Sequence, residues 1–147
     1  MLEKLHIKKF ALIDELEIRF KAGLNVLTGE TGSGKSIIFE AINFVLGEKA
    51  DKELIKSGAD MAEVSAVFSV DNDFVVQQLA ENDISPDSEG CILLERSFNT
   101  DGKSNCKING RTVTVGMLKE VSEYLVDIHG QYDHQSLLKN ESQLVLL

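Results

Sequence analysis

Gly29-Glu30-Thr31-Gly32-Ser33-Gly34-Lys35-Ser36 satisfies the phosphate-loop pattern G-x-x-x-x-G-K-[ST] at each fixed position. The spacing has a chemical reason. The glycines let successive backbone N–H groups turn inward around a polyphosphate, the Lys35 ammonium neutralises its outer phosphates, and the Ser36 hydroxyl is a hard oxygen ligand suited to Mg2+. Just before the loop, Leu24-Asn25-Val26-Leu27-Thr28 is a short apolar run of the kind that forms a buried parallel strand. Just after it, Ile37, Ile38, Ala41, Ile42, Val45 and Leu46 recur at helical spacing, and Gly47 supplies a C-terminal stop. The expected helix starts where the phosphates would sit, so its unpaired N–H groups and positive dipole end add to the attraction for an anion. A glycine-rich turn that merely reverses the chain is the competing reading, and the strand–loop–helix context argues against it.

The chain has 147 residues, 43% of them hydrophobic, which is enough to build a core. No run of apolar residues reaches membrane-spanning length, and Met1-Leu2-Glu3-Lys4 does not open a signal peptide, so a cytoplasmic protein without membrane partners is expected. Cys91 and Cys106 are too few for a disulfide framework and are not spaced as zinc ligands; free thiols are expected. A net charge of −9 argues against a broad cationic face of the kind that releases counterions from nucleic acid. Any DNA contact by these residues has to be local. The modest basic groupings, Lys4 with Lys8 and Lys9, and Lys103 with Lys107 and Arg111, are accounted for most simply as solvated strand faces.

Leu5 and Ile7 share one strand face in the first segment, and Leu16, Ile18 and Phe20 alternate with charge in the second, predicting an antiparallel pair. Val64, Ala66, Phe68 and Val70 alternate as a further strand. Asn72 and Asp71 suit a cap for a short helix carrying Phe74, Val75, Gln78 and Leu79. Cys91–Phe98 and Asn105–Ile108 read as strands joined across Asp101-Gly102, and Asn109-Gly110 turns the chain into a third strand over Arg111–Thr114. Met117, Leu118, Val121 and Leu125 predict a helix, followed by a strand over Leu125-Val126-Asp127-Ile128 that leads to Gly130-Gln131. The segment from Leu137 to Leu147 has helix-compatible apolar spacing.

That order is the order of an ABC-type ATPase head. The expected fold is α/β, with a mixed core sheet and a small antiparallel β meander. Ile7-Lys8-Lys9-Phe10-Ala11-Leu12-Ile13, Gly23 through Gly32, Ile108-Asn109-Gly110-Arg111 and Asp127-Ile128-His129-Gly130-Gln131 closely resemble the start of the bacterial RecN family of SMC-like DNA repair ATPases, along essentially the whole chain. The resemblance implies ATP and Mg2+ as ligands and residues 1–147 as the N-terminal lobe of a head. Its C-terminal half, carrying the Walker B carboxylates and signature motif beyond a coiled-coil arm, would be the partner. It also implies engagement of two heads on ATP, DNA contact through the full-length protein, and a cytoplasmic, nucleoid-associated location. Val67-Phe68-Ser69-Val70-Asp71 and Tyr124-Leu125-Val126-Asp127 both lack the glutamate that a Walker B motif requires, and Ser57-Gly58 is followed by Ala59, which breaks the signature pattern. The expectation is therefore a half-head that binds MgATP weakly or not at all and hydrolyses it negligibly, and that self-associates through its uncovered sheet and the apolar segment from Leu137 to Leu147.

On the same resemblance Gln131 takes the place of the glutamine that ligates Mg2+ and orients the attacking water, with Gln135 as its rival and a plain surface amide as the alternative. His129 and His134 flank it without a third ligand for zinc. Lys56 stands where the family often has an arginine near nucleotide or DNA, and a solvated lysine accounts for it equally well. Ala11 replaces a basic residue common in SMC-like heads, which puts any contact made by that residue in doubt. Two other function classes stay open: a small phosphate-loop kinase, disfavoured by two strands before the loop and few arginines, and a non-catalytic interaction module with a relic loop. A GTPase is disfavoured because no Asn-Lys-x-Asp motif is present.

Overall fold

The computed structural model describes residues 1–20 and 32–126, with backbone alone for residues 32–36 and 126. Six strands form one sheet in the order β2-β1-β3-β4-β5-β6: β1 Leu2–Phe10, β2 Ile13–Arg19, β3 Met61–Ser69, β4 Cys91–Asn99, β5 Ser104–Ile108 and β6 Arg111–Val113. All described pairings are antiparallel. The run expected as a parallel strand, Leu24–Thr28, lies outside the described residues, and the sheet of the described residues is antiparallel rather than mixed. The expected meander β4–β6 is present, and it is continuous with the first hairpin. β3 pairs with β1 on one side and, from Met61↔Asn99 to Ser69↔Cys91, with β4 on the other.

Period-two burial gives the sheet its two sides. Leu5 and Ile7 of β1, Ala62, Val64, Ala66 and Phe68 of β3, Ile92, Leu94 and Phe98 of β4, and Cys106 and Ile108 of β5 point into the core. The intervening His6, Lys8, Glu63, Ser65, Glu95, Ser97, Asn105 and Lys107 line a cleft of about 300 Å³ on the outer side. The helices are α1 (Gly32–Val45), α2 (Asp73–Ala80) and α3 (Val115–Val126). α1 packs on β1, β3 and β4, α3 packs on β5, and α2 packs beside α3. Ala41, Ile42, Phe44 and Val45 of α1 with Leu46 just after it, Val75 and Leu79 of α2, and Leu118, Val121 and Leu125 of α3 are buried. Each such aliphatic or aromatic side chain contributes about 1.5–3 kcal/mol when fully removed from water.

Local chemistry fixes the boundaries. The Asn72 carboxamide accepts from the backbone N–H groups of Phe74 and Val75 at 2.8 and 3.2 Å, the expected cap of α2. Asn109 and Gly110, at φ 50° and 83°, turn β5 into β6 as expected for a two-residue hairpin. Two boundaries differ from the sequence reading. Thr114 does not extend β6: its hydroxyl accepts from the Met117 N–H at 3.0 Å and so caps α3. Leu125 and Val126 belong to α3 rather than to a following strand, because Leu125 completes the buried stripe begun by Leu118 and Val121; Asp127 and Ile128 lie outside the described residues.

α1 ends in a Schellman turn: the Glu48 N–H donates to the Asn43 carbonyl at 3.1 Å and the Gly47 N–H to the Phe44 carbonyl at 3.1 Å. Gly47 holds φ 103°, and a Cβ there would meet the Lys119 Cα of α3 at 2.9 Å. Gly58 holds φ 88° with nothing within 4 Å. Gly47→Ala is therefore expected to lower unfolding stability by about 2 kcal/mol or more, and Gly58→Ala by about 1 kcal/mol, the strained conformation being common to both and the clash being confined to Gly47. Urea unfolding followed by circular dichroism measures the difference; equal losses would show that α3 yields without cost.

Candidate phosphate-binding helix

Of the phosphate-loop motif, Gly32 to Ser36 form the first turn of α1. Gly29, Glu30 and Thr31 lie outside the described residues, as does Gln131 with its rival Gln135 and the neighbouring His129 and His134; the side chains of Ser33, Lys35 and Ser36 are also outside. Backbone placement alone still has a chemical consequence. The N–H groups of the first four residues of a helix have no intrahelical acceptor, and here they belong to the motif itself. The first turn carries no acidic residue, so nothing fixed within it competes with an incoming anion. A polyphosphate fits this donor set, and a cation alone does not.

The far end of α1 is fastened by side chains from two strands. Phe10, at the end of β1, meets Phe44 with ring centroids 5.5 Å apart and planes tilted by 58°. The Arg96 guanidinium of β4 lies 4.5 Å above the Phe44 ring centroid. Its Nη1 donates to the Phe44 carbonyl at 2.8 Å and to the Glu48 carbonyl at 2.5 Å, and its Nη2 donates to the Ser104 hydroxyl at 3.2 Å. Arg96 is 4% exposed. Burial holds its pKa below the ordinary guanidinium value, yet an arginine in a folded protein stays charged. Burial likewise pushes the thiol of Cys106, its neighbour across the β4–β5 ladder, upward, so Cys106 is a neutral, packed side chain. Both cysteines are free.

The stretches quoted in the sequence reading acquire structural jobs. In Ile7–Ile13, Lys9 and Ala11 take φ 52° and 55°. The segment around the short 3-10 turn Lys52–Leu54 docks on them: the Ala11 N–H donates to the Leu54 carbonyl at 2.6 Å and the Lys56 N–H to the Lys9 carbonyl at 2.9 Å. Lys56 is thereby placed beside the first hairpin, where Lys9 pairs with Asp14 and holds that carboxyl below its ordinary pKa. In Ile108–Arg111, Asn109 accepts from the Leu93 N–H at 2.7 Å and donates to the Ser85 carbonyl at 2.7 Å, while Arg111 donates to the Asp83 carbonyl at 3.1 Å. These polar residues tie the loop after α2 to the meander. Sequence reasoning did not single out Arg96; an arginine inside an otherwise apolar inward strand alternation, Ile92, Leu94, Arg96, Phe98, was the available signal.

The basic groupings do not merge. Lys4 lies 3.8 Å from Glu17, Lys8 stands opposite Glu63 and Lys107 opposite Glu95 in the strand register. The outer sheet face thus neutralises itself by opposite-charge cross-strand pairs. Among the described residues no group of three or more His, Cys, Asp or Glu side chains could hold a metal ion, and no helix is long and apolar enough to cross a membrane.

A family model described as the AAA domain matches residues 4–144. The chain belongs to the AAA domain family. The chain is 45% identical to the DNA repair protein RecN of Halalkalibacterium halodurans and 42% identical to that of Bacillus subtilis, over all 147 residues. The chain spans 26% of the length of these curated relatives. Among solved structures, the SMC head domain with a coiled coil and joint from Pyrococcus yayanosii superposes with a TM-score of 0.69 at 29% identity, covering 88% of this chain and 26% of that one. A structure from work on ATP-driven dimerization and DNA-stimulated activation of SMC ATPases gives 0.65 at 26% identity, covering 99% of this chain and 96% of that one. The resemblance to RecN therefore runs along the whole chain, and the AAA domain has the α/β fold of SMC-type ATPase heads, as expected.

Within this AAA domain the Phe10–Phe44 pair is expected to couple energetically. Phe44→Leu should cost about 2 kcal/mol and Phe10→Leu somewhat less, since the latter leaves the arginine its ring. A double-mutant cycle read by urea unfolding should give a coupling of about 1 kcal/mol; additive losses would mean that the rings pack independently.

Proposed function

We propose that residues 1–147 are the ATP-binding lobe of an SMC-like ATPase head that acts in recombinational repair of DNA double-strand breaks. The observation that carries the reading is the coincidence of motif and helix: G-x-x-x-x-G-K-S runs directly into α1, whose first turn is Gly32 to Ser36. In this reading the backbone N–H groups from Gly29 to Ser36, with Glu30, Thr31, Ser33 and Gly34 among them, surround the β- and γ-phosphates, and Lys35 neutralises them. The Ser36 hydroxyl and the Gln131 side-chain carbonyl hold Mg2+, and Gln131 orients the attacking water. Bound MgATP supplies the transferable phosphoryl group and its charge-neutralising cation. The chain's own residues bind and orient; the carboxylate that holds the water for in-line attack has no counterpart in the runs that resemble a Walker B segment.

The partners follow from that division. The C-terminal half of the head completes the site, and a second head closes over the nucleotide, in keeping with the similarity to SMC head domains. Contact with DNA belongs to the whole protein, because the charges on the described sheet face cancel. The protein works in the cytoplasm on the nucleoid.

Titration of the chain with MgATP by calorimetry is expected to give weak binding that Lys35→Ala abolishes without a shift in Tm, and phosphate release by the chain alone should stay at the no-enzyme level. Turnover at rates usual for an ATPase would overturn the half-head assignment, and a Lys35→Ala variant that binds as before would overturn the nucleotide site. Light scattering across concentration should show self-association of the isolated chain; a strict monomer would mean that the sheet and helices need no further cover.

A further inference from the structure

We infer that Arg96 is a positioning residue for the phosphate-binding helix: it locks the C-terminal end of α1 and through it sets where the Gly32–Ser36 turn lies. This rests on the nucleotide reading above for its functional meaning and on geometry for its mechanism. α1 is seated mainly by Ala41, Ile42, Phe44, Val45 and Leu46, apolar contacts that are non-directional and tolerate small slides and rotations. The guanidinium adds direction. One nitrogen, Nη1, grips the carbonyls of Phe44 and Glu48, one from the last helical turn and one from the residue after the Schellman glycine, while the Phe44 ring centroid lies 4.5 Å from the guanidinium carbon. The other two nitrogens, Nη2 and Nε, donate to the Ser104 hydroxyl of β5 at 3.2 and 3.4 Å, so the fork spans two strands and one helix end.

Electrostatics points the same way. The last turn of α1 contains no basic residue, so the carbonyl end of its dipole has no countercharge from the helix itself. Arg96 supplies that countercharge from β4. A rigid helix then carries the constraint from Phe44 back to Gly32, a span of about 18 Å at 1.5 Å per residue. Lysine keeps the charge but cannot serve both carbonyls and the Ser104 hydroxyl with a planar fork, so Arg96→Lys separates orientation from charge.

The test compares Arg96→Lys with whichever of Ile92→Val and Ile92→Ala on the same strand face matches its Tm. Amide hydrogen exchange is read well below unfolding. The expected result is exchange at the Ile37–Phe39 amides about tenfold faster in Arg96→Lys than in the matched control, with MgATP affinity weakened by a similar factor. Equal exchange in the two variants overturns the inference, whatever the nucleotide does. Faster exchange with unchanged MgATP affinity overturns its functional half, leaving a fastener of the helix only. If the unaltered chain shows no response to MgATP, the nucleotide reading fails and the exchange comparison alone decides whether Arg96 orients α1. Should Arg96→Lys fail to fold, Ser104→Ala, which frees Nη2 and Nε of the fork, is read in the same way and should give a smaller change of the same sign; no change would overturn the inference.

Discussion

The seating of α1 on the inward face of the sheet is the constraint on which the other features depend. A glycine-rich loop has no preferred shape of its own, since glycine gains conformational freedom without any contact that selects one conformer. What can give such a loop a shape is a helix whose axis is already fixed. Here the axis is fixed by Phe10 and Phe44 in the apolar layer and by the Arg96 fork at the carbonyl end. The sheet is correspondingly low where the helix lies, with Ala62 and Ala66 alternating with Val64 and Phe68 on β3. Gly47 allows α3 to approach the helix end at backbone distance. Each of these residues acts on the helix and none belongs to the motif.

That division explains what could be read in advance. Strand alternation, the Asn72 cap, the two hairpin turns and the buried stripe of α3 were legible because each rests on residues a few positions apart, where periodicity and turn chemistry operate. The phosphate-loop motif was legible for the same reason. Pairing of β1 with β3 across the whole of α1 left no local mark, and neither did the continuity of the first hairpin with the meander. Thr114 reads as strand because threonine suits a strand and a helix cap alike, and only the position of Met117 decides between them. Leu125-Val126 looked strand-like since an apolar pair at a helix end carries no period of its own. Of the candidate site, the sequence supplied the chemistry of the first turn, while the arginine that fastens the last turn depends on a contact between residues 52 positions apart.

Charge follows a similar logic. A net charge of −9 bounds the whole surface but does not say where positive charge collects. The strand register does: Lys8 faces Glu63 and Glu95 faces Lys107, so the outer cleft is a lattice of compensated pairs. Arg111 is spent on a backbone carbonyl of the loop after α2, and Arg96 is buried. Three arginines serve the whole chain: Arg96 is buried, while Arg19, beside Glu17, and Arg111 are exposed. A sheet face organised in this way resists nonspecific attraction to phosphate backbones and leaves the unpaired main-chain N–H groups at the start of α1 as its distinct anion-directed feature.

The composition of α1 carries the argument one layer further. A helix with one apolar stripe needs one neighbour, whereas α1 is apolar at Ile37, Ile38, Phe39, Ala41, Ile42, Phe44 and Val45, nearly all the way round. The sheet takes up the residues toward its C-terminal end. Ile37, Ile38 and Phe39, closest to the phosphate-binding turn, are only partly buried among the described residues. The end of the helix nearest the site is thus the end least covered by the sheet, and the end farthest from it is the one locked by Arg96. A second layer packed against the near end would complete the burial of these three side chains and would bear directly on the turn that meets the phosphates. Covering these three side chains and fixing that turn are then coupled, which is a physical reason for order at the turn to depend on what packs against the near end of the helix.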